Sequence, residues 1–238
     1  MTQAIATCPD APTSRRDTTP RLAGFDGRYA IRLLLRRALQ TAIAAHLPTT
    51  VDTLVDLGSG DAPHRALFDG RCRRYVTVDL VPDADVQFSA DGDAPLPDTV
   101  ADVVLSTQVL EHVEDVEQYL RTCRRLLPPR GILLLSTHGT WKHHPHPCDL
   151  HRWTAEGLGR LLATHGFEVR ELRGVMGLAP TGLLLLQDAL VMKLPRLLRR
   201  PVAAMCQPLL LGFDRLHSDA ERQRDAAVYL AVAERMDA

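Results

Sequence analysis

Paired cysteines and an excess of charge of either sign are both missing from this sequence of 238 residues. Cys8, Cys72, Cys123, Cys148 and Cys206 are scattered, with no CxxC pair. That pattern suits reduced thiols in a cytoplasmic protein rather than a disulfide framework. The net charge is −1, so no global basic field marks a nucleic-acid binder. No uninterrupted apolar stretch reaches the roughly 18 residues that a bilayer-spanning helix needs. Residues 1–20 are rich in Thr, Pro and Asp and have no continuous apolar core; they read as a disordered tail, not a secretory leader. There is no internal repeat, and the length suits one domain over residues 21–238.

What the chain does have is alternation. Residues 29–47 (YAIRLLLRRALQTAIAAHL) place apolar side chains at helical spacing with arginines between them, and Pro48 follows. The spacing predicts a leading amphipathic helix. Short β-rich runs then come at 53–57, 75–80, 86–89, 102–106, 131–137, 166–172 and 228–233. Continuous apolar runs such as VVL and ILLLS suit strands covered on both faces. Helices are expected at 113–127, stopped by Pro128 and Pro129, and at 155–165, with Thr154 as N-cap. The expected fold is α/β: a Rossmann-like, doubly wound, seven-stranded sheet with an N-terminal helix and a helical insertion before the last strand.

That insertion, residues 178–217, is cut by Pro195, Pro201 and Pro208 into short pieces. Four roles are open to it. It is a cap that completes the core, a homodimer face, an apolar lid over a lipophilic substrate, or a peripheral membrane contact through Lys193, Arg196, Arg199 and Arg200.

The run TLVDLGSGDAP, residues 53–63, carries a strand-like stretch as far as Asp56 and opens a turn with Gly58 and Gly60. A dinucleotide fingerprint needs G-x-G-x-x-G, and Pro63 stands at its third glycine. That argues against a nicotinamide dehydrogenase. No GK[ST] follows, which excludes a P-loop. An acid two residues before the first glycine repels phosphate and favours a cationic ligand. S-adenosylmethionine has no phosphate and carries an ammonium and a sulfonium centre, so the charges match.

Taken with the segments after it, VDLGSGDAP resembles motif I of class I S-adenosylmethionine-dependent methyltransferases of the bacterial small-molecule type. YVTVDL carries Asp79 and Leu80, where the family's second strand places an acid on the ribose hydroxyls. DGDAPLPD resembles the loop whose aspartate contacts adenine, and ADVVLSTQVLEHVEDVEQYLRTCRRLLPPRGILLLST resembles the fourth strand, its helix, the proline-glycine turn and the fifth strand. The similarity runs over residues 50–172, with a final strand near 228. It implies S-adenosylmethionine as methyl donor, held by Asp56, Gly58, Ser59, Gly60, Asp79, Leu80, Asp91, Gly92 and Gln108. Asp91 is favoured over Asp93 for adenine, because Gly92 beside it lets the backbone turn toward the base. The third glycine common in this motif is Ala62 here, which is tolerable where φ is negative.

A second unusual stretch, STHGTWKHHPHPCDLHRWTAEGL, follows the fifth strand. Ligands of open α/β sheets bind outside the carboxyl ends of the strands, so this loop should face the transferred methyl group. Its core from His144 to Thr154 resembles a subgroup of bacterial methyltransferases associated with polysaccharide or secondary-metabolite pathways. In a catalytic reading, His144 or His146, held by Asp149, takes the acceptor's proton. His138, Arg152 and Trp153 would then bind the substrate, Arg152 suiting an acidic group. In a structural reading, Asp149 and Arg152 pin the loop. The clustered His and Cys fit no zinc signature, and no metal is expected. His112, in LEHV, reads as a packing residue at a helix start.

No NPPY-like tetrapeptide follows the fourth strand, where Ser106, Thr107, Gln108 and Val109 stand. That argues against an amino-group methylase acting on DNA, RNA or protein. The expectation is an enzyme methylating an O or N atom of a small molecule. The alternative is a non-catalytic S-adenosylmethionine-binding module serving assembly or regulation.

Overall fold

A computed structural model describes residues 27–88, 93–145 and 148–237. The expected tail at 1–20 lies outside them, as do Asp91, Gly92 and His146. The first element, α1 (Tyr29–His46), buries Ala30, Ile31, Leu35, Ala38, Leu39, Ala42 and Ile43 at helical spacing and ends before Pro48, as the sequence pattern requires. It is followed by β1 (Val51–Leu57), β2 (Cys72–Asp79), β3 (Val86–Gln87), β4 (Val103–Thr107), α2 (Val116–Leu126), β5 (Ile132–His138) and α3 (Ala155–Thr164). Then come β6 (Phe167–Gly177), α4 (Leu178–Val191), α5 (Arg196–Asp214), α6 (Asp219–Arg224) and β7 (Ala226–Arg235).

The seven strands form one sheet in the order β3-β2-β1-β4-β5-β7-β6. The pairs among β1 to β5 are parallel, while β7 runs antiparallel between β5 and β6. Alternation along each strand sends side chains to opposite faces. Leu54, Val103, Leu105 and Leu134 join α1, α4 and α5 in one core. Val55, Val104, Leu133 and Leu135 join α2 and α3 in the other. The order reverses between β1 and β4, so their carboxyl ends bound the crevice where such sheets bind ligands.

Local chemistry sets the helix ends. Asp115 accepts from the Gln118 N–H to start α2, and Thr154 accepts from the Gly157 N–H to start α3. Strand β6 runs five residues beyond the expected end at 172, because its pairing with β7 continues to Gly177. The insertion departs from expectation in one respect. Pro201 and Pro208 do not divide it; both lie inside α5, which runs 19 residues. Burial of Ala203, Gln207, Leu210 and Asp214 on the inner side offsets the two lost backbone hydrogen bonds.

The α4–α5 hairpin is fixed to the start of α1. Gln207 accepts from the Ala30 N–H (3.0 Å), and its amide donates to Gln187 Oε1 (2.9 Å) and to the Gly27 carbonyl (3.2 Å). Leu184 and Leu210 enter the same core as α1. Among the described residues no helix is long and apolar enough to cross a membrane. Cys72, Cys123 and Cys206 are free thiols. Cys148 is disulfide-bonded, against the expectation of five reduced cysteines.

Candidate functional site

The turn after β1 is held by the strand beside it. The Gly58 and Ser59 N–H groups both donate to the Val78 carbonyl, at 2.8 and 3.2 Å. Gly58 has φ 72°, and a Cβ there would stand 2.4 Å from Val109 Cγ2, so only glycine fits. A Cβ on Gly60 would meet nothing within 4 Å. That leaves room for a ligand against the backbone. Ala62 has φ 49°, against the expectation of a negative value. The Ala62 N–H donates to the Ser59 carbonyl (2.7 Å), and this tight turn imposes the left-handed conformation, at a cost of about 1–2 kcal/mol.

Asp79, at the end of β2, accepts the Gly60 N–H at Oδ2 (2.7 Å) and the Leu80 N–H at Oδ1 (2.7 Å). The acid at the end of β2 and the glycine turn after β1 therefore meet. Asp56 is 2% exposed and accepts from the Tyr75 hydroxyl at 2.6 Å. Burial, and then the Asp56 charge, push the Tyr75 phenol far up, so it stays a neutral donor. Asp56 thus braces the turn from beneath and is not among the residues lining the cleft above it.

That cleft, of about 610 Å³, is lined by Gly58, Ser59, Gly60, Asp61, Pro63 and His64 on one side and by Thr107 and Gln108 on another. Gln108 has φ 57° and is pinned to β5: its N–H donates to the Ser136 carbonyl (2.8 Å) and its amide to Ser136 Oγ (3.1 Å). The third wall is Arg32, Leu35 and Arg36 of α1, to which the sequence analysis gave no site role. Burial, reinforced by Arg36, lowers His64 to about 4, so it is neutral near pH 7. Asp93, the rival to Asp91, is occupied by Thr122 (3.1 Å) and Arg125 (2.9 Å).

The loop after β5 is held together by an ion pair. The Arg152 guanidinium clasps Asp149 through two bonds, of 2.5 and 2.7 Å, and also donates to the carbonyls of Trp141, Lys142 and His151. Asp149 further accepts the backbone N–H of His144 (2.6 Å). The Arg152 hydrogen bonds hold the Asp149 carboxyl well below the usual range, against an opposing burial effect. These two side chains pin the loop, and Asp149 Oδ2 also stands 3.2 Å from Nδ1 of the exposed His143. Trp153 packs into the core on the α2–α3 face. Its indole N–H is buried without a hydrogen-bond partner among the described residues.

The structure instead brings together His138 at the end of β5 and Glu111 from the loop after β4. His138 Nδ1 stands 3.0 Å from Glu111 Oε1, close enough for the carboxylate to act directly on the ring. Glu111 is fully buried, and its Oε2 accepts from the Thr137 hydroxyl at 2.9 Å. Burial alone would raise this carboxyl, yet the neighbouring His138, aided by His112, outweighs that and holds it below its ordinary value. Trp141 stacks on the His138 ring at 4.9 Å, and His144 meets its edge at 5.9 Å. His112 Nδ1 bonds the Cys148 carbonyl. Sequence reading missed Glu111. The available signal was its place just after the fourth strand, beside the strand that ends in His138. Among the described residues no His, Cys, Asp or Glu group is arranged to hold a metal.

Residues 25–172 match a protein family described as a methyltransferase domain. A probable S-adenosylmethionine-dependent methyltransferase of Mycolicibacterium smegmatis is 36% identical over 139 residues, which are 51% of this chain and 54% of that protein. A ubiquinone biosynthesis O-methyltransferase of Caulobacter vibrioides is 45% identical over 51 residues, 21% of this chain and 18% of that protein. The chain spans about half the length of the M. smegmatis relative, and less than a fifth of the C. vibrioides one. Among solved structures, the [4+2]-cyclase SpnF superposes with a TM-score of 0.60 at 17% identity, covering 97% of this chain and 99% of that one. At that identity the likeness is one of fold alone.

Proposed function

This chain belongs to the methyltransferase domain family, and from that premise we propose that it moves a methyl group from S-adenosylmethionine to an oxygen or nitrogen of a small molecule. The observation that carries this reading is the 2.7 Å bond between the Gly60 N–H and Asp79, beside open space at Gly60. The residues fit the cofactor. Asp79 keeps acceptor capacity for ribose hydroxyls beyond the backbone groups it already binds, and Gly60 leaves room for close approach. When bound, S-adenosylmethionine supplies an electrophilic methyl on a sulfonium centre. Gln108 and Thr107 bound the cleft at the end of β4, one strand over from His138.

On the acceptor side, the buried histidine beside a buried carboxylate is His138. Glu111 favours a proton on His138 Nδ1, which leaves Nε2 to accept the proton of an attacking hydroxyl or amine. Glu111 then stabilises the imidazolium that forms. His138 is 4% exposed, so the loop carrying Trp141 and His144 must move aside for an acceptor and close behind it, excluding water. The short similarity to an O-methyltransferase supports an oxygen acceptor, and the resemblance of the loop supports a place in secondary-metabolite or polysaccharide biosynthesis.

Labelled S-adenosylmethionine incubated with candidate hydroxylated metabolites tests the reading. Label should reach a small molecule, and His138→Ala should slow the transfer by about 10²–10⁴-fold while S-adenosylhomocysteine still binds. The burial of His138 favours a second reading, a non-catalytic S-adenosylmethionine-binding module. Turnover of any acceptor with dependence on His138 rules that out.

A further inference from the structure

Both helices of the α4–α5 hairpin present two faces with different tasks. The inner faces carry Thr181, Leu184 and Gln187 of α4 and Ala203, Gln207 and Leu210 of α5, all buried. The outer faces carry residues at steps of four, 178, 182, 186 and 190 on α4 and 197, 201, 205 and 209 on α5, and every one is exposed. Leu197 is 85% exposed and Met205 73%. Between 178 and 213 each exposed residue is apolar, glycine, proline or basic, and none is acidic. A protein surface facing only water does not keep so continuous an apolar plateau.

The charges say what covers it. Lys193, between the helices, and Arg196 and Arg200, in the first turns of α5, are exposed. Arg199 is engaged instead with the carbonyls of Leu194 and Met192 (both 3.0 Å). Two carboxylates belong to the hairpin. Asp188 is tied to Arg28 and Lys142, and Asp214 is buried against Arg222. A second copy packed on this face would therefore bring no exposed carboxylate from its own plateau to meet the three cations. Anionic headgroups supply that charge while the acyl boundary takes the leucines and methionines.

We infer that the outer face of the α4–α5 hairpin docks in the plane of an anionic lipid surface, with Lys193, Arg196 and Arg200 at the headgroups. The helices lie on the surface and do not cross it, in keeping with their length and composition. The inference stands apart from methyl transfer, and its test reads binding alone.

The test is co-sedimentation of the full chain with phosphatidylcholine vesicles containing about 30 mol% phosphatidylglycerol, against phosphatidylcholine alone, at low and high salt. The expected result is binding to the anionic vesicles, released by salt. The triple variant Lys193→Gln, Arg196→Gln, Arg200→Gln should partition about 10²-fold less, at about fivefold per charge. Leu197→Ser with Met205→Ser, at positions exposed enough to leave the core intact, should also release the protein. Circular dichroism confirms that both variants are folded. Failure of the wild-type chain to sediment with anionic vesicles overturns the inference, and so does undiminished binding by both folded variants. A concentration-dependent dimer that Met205→Ser dissolves, without vesicle binding, would assign the face to a second copy instead.

Discussion

Replacing Glu111 with Gln keeps the shape of a fully buried side chain and changes its charge and its donors. The amide oxygen can still accept from the Thr137 hydroxyl, which lies 2.9 Å from Glu111 Oε2. The amide nitrogen then takes the place of Oε1, 3.0 Å from His138 Nδ1. A carboxylate oxygen can only accept there, so it favours a proton on Nδ1 and a lone pair on Nε2. An amide N–H donates, which moves the ring proton to Nε2, where it blocks acceptance from the substrate. The turnover of Glu111→Gln should fall by about 10²–10⁴-fold, with affinity for S-adenosylhomocysteine unchanged. Nitrogen-15 NMR of the His138 ring reads the tautomer without needing the acceptor.

The same variant has a pH signature. The Glu111 carboxyl is lowered in the fold, so its stabilising contribution is full above the ordinary carboxylate range and is lost as pH falls through the folded value. The melting temperatures of wild type and Glu111→Gln should therefore converge on acidification. An unchanged His138 tautomer together with wild-type turnover would refute the reasoning.

Three further outcomes are expected. Asp79→Ala should weaken S-adenosylhomocysteine binding by about 1.5–3 kcal/mol in calorimetry, through loss of a charge-assisted contact and of the Gly60 anchor. His138→Ala should lower turnover by about 10²–10⁴-fold while His144→Ala, one shell out, stays within about tenfold of wild type; the reverse ranking would restore His144 as the base. Asp149→Asn should destabilise the fold by about 1–3 kcal/mol at neutral pH. Because Arg152 lowers the Asp149 carboxyl, that penalty should vanish as pH falls through its folded value, which denaturation at several pH values would show.

Much of the fold was legible because its signals are local. Apolar runs gave the strands, Pro128 and Pro129 gave the end of α2, and Thr154 gave the start of α3. The contact between Gly60 and Asp79 was not read from sequence; it follows from the pairing of β1 with β2, which brings the turn after β1 beside the end of β2. What stayed hidden depends on tertiary geometry. Glu111 and His138 are 27 residues apart in sequence and meet only through the β4–β5 register. Asp149 offered itself as a partner for a histidine ring, but a guanidinium three residues away competes more strongly for a carboxylate. The prolines of α5 read as breaks because sequence shows the lost hydrogen bonds and not the buried face that outweighs them. Arg32 and Arg36 drew no site role because nothing local says that they border the cleft.

S-adenosylmethionine is proposed to lie in the cleft beside β4, against the glycine turn that Asp79 anchors. Isothermal titration with S-adenosylhomocysteine and, separately, with NAD tests that placement most directly, using wild type and Gly58→Ala. The account predicts saturable binding of S-adenosylhomocysteine, no response to NAD, and loss of binding in Gly58→Ala, whose new methyl would collide with Val109. Binding of NAD with no response to S-adenosylhomocysteine would contradict it.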